Sequence, residues 1–221
     1  MDMLEEAITM IREEILGDNK AIKQEFQLNF STEIDSFIQA LANAVVVWKN
    51  LDDSKSNNTR KPACSAFVYV TITTLLLSMK LLIEGYLIAS GNLLRQVTEC
   101  MPMPLLLACE ELNIYERFEK NQYSTNKSIQ DAIRNSNKLS VIKDALENLK
   151  EIQKWYDCYS HPSKGTLAAY IPFDGQKGLY VGVSFDKGKI DAYKKEIILR
   201  VDMAEGIPNI VQGTLKNLKM L

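Results

Sequence analysis

The run from Cys64 to Met79 contains no charged residue, and few folds can hold such a segment. Lys80 and Glu84 interrupt it, which leaves the charge-free part short of the roughly 20 residues a bilayer needs. The run therefore predicts a buried central helix, with a membrane helix over residues 63–90 as the competing expectation. Ile72, Leu75, Leu76, Met79, Leu82 and Ile83 line one side, while Val68, Leu77 and Leu81 cover others. A helix that is apolar nearly all round has to be surrounded, by other helices or by a partner subunit. A helical bundle follows, and with it the expectation of a homodimer.

The flanking sequence fits that architecture. Met3, Leu4, Ala7, Ile8, Ile11 and Ile15 keep the three-four spacing of one helical face, and Gly17 ends it. From Asn19 to about Leu51 the same spacing runs through Phe26, Phe30, Phe37, Leu41 and Trp48, as one long helix or two abutting ones. Residues 52–61 lack apolar side chains and form a solvated loop before Pro62, a natural helix start. Gly91 and Asn92 are expected to punctuate the next stretch, with a helix from Leu105 through Lys120, a short one around Ser128, and a long one from Ser140 toward His161. There Pro162 disfavours continuation. Helices near Asp191–Glu205 and after Pro208 close the chain.

One stretch changes period. Leu167, Ala169, Ile171 and Phe173 alternate, as do Leu179, Val181, Val183 and Phe185, across the turn formers Asp174 to Gly178. This predicts a β-hairpin over about 167–185, with Pro172 confining its first strand to an edge. The fold class expected is mainly α: a helical bundle with a small β-hairpin in the C-terminal half, organised as one domain over 1–221.

Charge and cysteine usage narrow the function classes. Lys and Arg total 26 against 28 Asp and Glu, so no long-range field gathers phosphate backbones. Cys64, Cys100, Cys109 and Cys158 lie in apolar helical surroundings without a Cys-x-x-Cys pair, as buried small hydrophobes of a reducing cytosol do. The acidic start, Asp2-Met3-Leu4-Glu5-Glu6, does not resemble a secretory signal. A cytoplasmic protein is expected, with no membrane association, no metal site and no cofactor, since phosphate loops, dinucleotide fingerprints and zinc patterns are all missing from the sequence.

His161 is the only histidine, which limits the chemistry available. No Gly-x-Ser-x-Gly elbow accompanies it, and Ser160 and Ser163 are too close in sequence to form a triad with it. Asp157 stands four residues earlier, so a helix persisting to His161 would bring carboxylate and imidazole to one face. His161 is then either a helix cap paired with Asp157 or a general acid and anion-binding cation. Arg95 and Glu99 form an i, i+4 pair on an otherwise apolar helix. They read as an intrahelical ion pair or as two parts of a cleft that also holds His161. Trp155, Tyr156 and Tyr159 are packing residues or a surface for stacking a base.

The Arg-x-x-x-Glu helix at Arg95–Glu99, followed by a helix ending in Ser160-His161-Pro162-Ser163, resembles a group of prokaryotic helical proteins related to the broad HEPN class. The resemblance covers about residues 62–165. Active members of that class are metal-independent ribonucleases working as dimers. It implies a catalytic set of His161, Arg95 and Glu99, with Asp157, Tyr159 and Ser160 contributing to binding. This chain departs from the class where four to six residues should separate an Arg from the His, because Lys154, Trp155 and Tyr156 hold those positions. Two functions are therefore expected: a dimeric binding or interaction module, or a HEPN-like ribonuclease using His161 and Arg95. RNA enters as a partner only through this resemblance, and no motif names a small-molecule ligand.

Overall fold

The computed structural model describes residues 2–173 and 181–220. Its elements are α1 (Met3–Leu16), α2 (Lys20–Asp53), α3 (Lys61–Ile83), α4 (Leu87–Cys100), α5 (Met103–Ala108), α6 (Ile114–Glu119), α7 (Ser128–Arg134), α8 (Ser136–Leu139), α9 (Lys143–Asp157), α10 (Lys164–Tyr170) and α11 (Ile190–Asn217). Mainly helical architecture is thus present, as the periodicity requires. α2 is continuous but bends at Phe30, whose φ of -138° and ψ of 27° are not helical. α3 packs against α2, α4, α5 and α11. It is also the one helix among the described residues that is long and apolar enough to cross a membrane by length and composition.

The β-hairpin is a correction. Lys164–Tyr170 is helical, which takes in Leu167 to Tyr170 of the first expected strand, and no strand occurs among the described residues. Ser163 explains the difference: its extended backbone and its Oγ, which accepts the Thr166 N–H at 3.1 Å, cap the start of a helix. The alternation from Leu167 to Phe173 is too short to override that cap. The turn and the first residues of the second expected strand, 174–180, lie outside the described residues.

Other breaks also move. The chain turns before α4 at Gly85, φ 90°, where a side chain would be strained and a Cβ would come within 3.0 Å of Val183 Cβ. Gly91 sits inside α4 instead. α9 begins at Lys143, because Ser140 adopts a left-handed φ of 54°. α11 runs through Pro208 without stopping. The buried stripe of Ala204, Ile207 and Val211 on either side holds it against the core despite the missing backbone donor. The loop after α2 is tied down, with Arg60 bridging to Glu110 at 2.9 Å and to Glu116 at 2.5 Å.

A continuous apolar core joins Phe26, Phe37 and Leu51 of α2, Leu75 and Leu82 of α3, Leu94 of α4, the whole of α5, and Ile197 and Val211 of α11. α1 stands apart, with no buried residue and Leu4 and Ile15 exposed.

Candidate functional site

α4 and α9 pack together, and this brings the C-terminal turn of α9 beside the middle of α4. Arg95 Nε lies 2.8 Å from Asp157 Oδ1, its Nη2 lies 3.4 Å from Glu99 Oε1, and its Nη1 donates to Ser160 Oγ at 3.3 Å. Ser160 Oγ in turn donates to Asn92 Oδ1 at 3.1 Å. Gln153 Nε2 donates to Glu99 Oε1 at 3.1 Å. The Arg95–Asp157 approach is a charge contact without hydrogen-bond alignment, since Nε–H finds no well-directed acceptor. The Arg95 side chain is 34% exposed and that of Asp157 51%, so water reaches this cluster.

His161 stands outside it. α9 ends at Asp157, a turn follows, and the expected i, i+4 pairing of Asp157 with His161 does not form. Asp157 turns to Arg95 instead. The imidazole is exposed and makes no hydrogen bond or ion pair among the described residues, while the His161 carbonyl accepts from Thr166 Oγ1 at 2.9 Å. Tyr159 packs on Tyr156 with centroids 5.5 Å apart. Both rings press on Gly91, where a Cβ would come within 2.6 Å of Tyr159 and 3.0 Å of Tyr156. Burial, reinforced by the Glu196 charge, pushes the Tyr159 phenol up to about 12.

A second polar constellation lies behind these rings, and sequence reasoning missed it. Arg200 of α11 is 0% exposed. Its Nε donates to Ser78 Oγ at 3.1 Å, its Nη2 to Ser90 Oγ at 2.6 Å, and its Nη1 to Glu196 O at 2.6 Å and Oε2 at 2.8 Å. Ser78 Oγ donates to Ser90 O at 2.9 Å and Ser90 Oγ to Ser78 O at 2.7 Å, which locks α3 to α4. Tyr156 OH donates to Glu196 Oε2 at 2.5 Å, and burial together with that carboxylate pushes the phenol far above its ordinary range. The signal was available: Tyr193, Ile197, Arg200, Ala204, Ile207 and Val211 form one helical stripe, and Glu196 stands one turn before its only cation.

Comparison with family models, with curated proteins and with solved structures finds no match. The residues themselves have to carry the functional reading. Among the described residues no group of three or more side chains could hold a metal ion. Burial pushes the Cys64 thiol up to about 12 and the Cys100 thiol up to about 11, which makes both poor nucleophiles.

Two hollows complete the surface. An apolar groove of about 660 Å³ separates α9 from α11, with Ile142, Ala145, Leu149 and Met203 among its walls. A smaller cavity of about 240 Å³ lies between the start of α4 and the segment leading into α11. Asp186 and Lys189 pair there at 3.3 Å. Burial works against the Asp186 charge, but the N–H groups of Phe173 and Gly188 and the Lys189 ammonium hold its carboxyl below the ordinary value.

Proposed function

We propose that this protein is a homodimeric interaction module that joins through the outward face of α3. One observation carries the reading. Tyr69, Val70, Leu76 and Leu77 are 50%, 36%, 53% and 43% exposed, on a helix with no charged residue between Lys61 and Lys80. Solvent-facing helix positions ordinarily carry polar side chains, and a contiguous apolar strip marks a surface that is covered in use. The Arg95 cluster supports a non-catalytic role, because its guanidinium is already matched by Asp157 and Glu99.

Sedimentation at micromolar concentration tests this: a dimer is expected, and Leu76→Glu raises its Kd by about thirtyfold or more, the effect of losing a well-buried interface residue. A strict monomer rejects the reading. So does recovery of the protein with membranes in a detergent-free lysate, which would assign the same face to lipid.

A second reading is the HEPN-like ribonuclease, favoured by the hydrogen bond from Arg95 to Ser160, the immediate neighbour of His161. In it His161 serves as acid or base, Arg95 stabilises charge on the phosphate, and Tyr159 or Ser160 orients the substrate. Incubation with tRNA and mRNA beside His161→Ala decides it. Cleavage lost in the variant supports the nuclease, and equal or absent cleavage in both removes it.

A further inference from the structure

The outward strip of α3 continues onto α2. Trp48 meets the Tyr69 ring at 5.3 Å, and its Nε1 donates to Ser65 O and Oγ at 3.1 Å. Residue 48 is therefore level with the stretch 65–69 of the antiparallel neighbour. Both helices rise by the same ~1.5 Å per residue, so stepping back along α2 and forward along α3 brings Ala42 level with Thr73. Exposed positions along this side of α2 include Asp35, Ile38, Ala42, Val46 and Lys49, with Ser31 and Asp53 beyond them at either end.

The central parts of both strips are symmetric about those two residues, whereas further along α3 the exposed Ala66 and Lys80, seven residues either side of Thr73, are unlike. Around Ala42, Ile38 balances Val46 and Asp35 balances Lys49. Around Thr73, Val70 balances Leu76 and Tyr69 balances Leu77. A pattern that reads alike in both directions is what an isologous contact needs, because each residue at one distance from the axis meets its counterpart from the other copy. The small side chains fall at the centre, where two helices must come within about 8–10 Å. The ends carry opposite charges, Asp35 at one and Lys49 at the other. Both are exposed, and neither has an ion pair or side-chain hydrogen bond within its own chain among the described residues.

We propose that two copies pair about a twofold axis lying in this face, at right angles to α2 and α3 and crossing them at Ala42 and Thr73, with Asp35 of each copy against Lys49 of the other. This rests on the homodimer reading and specifies its register. With Asp35 against Lys49 at both ends, the charges favour this register over one that slides the two copies along their helices.

Sedimentation equilibrium of the full chain tests it with Asp35→Lys, Lys49→Asp and the double variant, all at exposed positions that leave the fold intact. Each single variant sets like charges together at both ends of the dimer and is expected to raise Kd about tenfold. The double variant restores both pairs and returns Kd to near the wild-type value. Ala42→Cys, on the axis, is expected to form a disulfide-linked dimer under mild oxidation that the wild type does not form. A dimer that is indifferent to the single reversals, or not rescued by the double, and that fails to crosslink through Ala42→Cys, overturns this register while leaving the α3 face as the contact. A wild-type monomer overturns both.

Discussion

Arg95 and Arg200 each sit one helical turn from a glutamate and each bind a serine hydroxyl, yet they do opposite things. Arg200 is wholly enclosed and spends every nitrogen on partners from α3, α4 and its own helix. Arg95 is a third exposed, and its Nε meets Asp157 out of alignment. The desolvation that makes a buried charge costly also makes its loss costly, because the partners left behind have no water to turn to. In the open cluster water takes over whatever the protein gives up. The same local pattern is thus a keystone at one depth and an adjustable contact at another.

That contrast can be broken by substitution. Arg200→Ala takes the cation from the half-buried Glu196 and the buried Ser78 and Ser90 and is expected to cost about 3–5 kcal/mol, read as the shift of a denaturant midpoint at unchanged slope. Tyr156→Phe removes one donor to Glu196 and is expected to cost about 1.5–3 kcal/mol, the range for a hydrogen bond to a charged group.

The phenols add a pH signature. Tyr156 and Tyr159 hold their protons more tightly folded than unfolded. Their contribution is complete below the unfolded value of about 10 and is lost as pH rises through the folded one. The phenols' share of stability is therefore expected to fall from about pH 10 upward, and the fall in denaturation series at stepped pH is expected to be less steep in Tyr156→Phe. Arg95→Ala is expected to cost no more than about 1 kcal/mol, and Asp157→Asn a few tenths. If Arg95→Ala instead matched Arg200→Ala, the open cluster would be a second keystone and the contrast would fail.

Much of this was legible beforehand, and what was not has identifiable causes. The charge-free run marked α3, and the three-four spacing marked α2, because burial of one face leaves a periodic trace in sequence. Arg95, Glu99 and Asp157 stand out by type and spacing, Ser160 by the resemblance alone, and the four lie together. The expected pairing of Asp157 with His161 requires α9 to reach His161. The helix stops at Asp157, and a residue at a helix end answers to whatever packs beside it. The hairpin failed for a related reason: alternation over so few residues is also found on a short helix, and the Ser163 cap was the stronger local signal. Arg200 is legible only when the stripe from Tyr193 to Val211 is drawn, because a lone cation among buried positions needs a partner.

Gly91 gives the two arginine clusters a common wall. Tyr156, which completes the buried one, and Tyr159, which opens the turn bearing Ser160, both lean on its bare backbone. A single methyl group there would push on both rings at once, so the interior of the bundle and its accessible edge would shift in concert, with α9 as the lever.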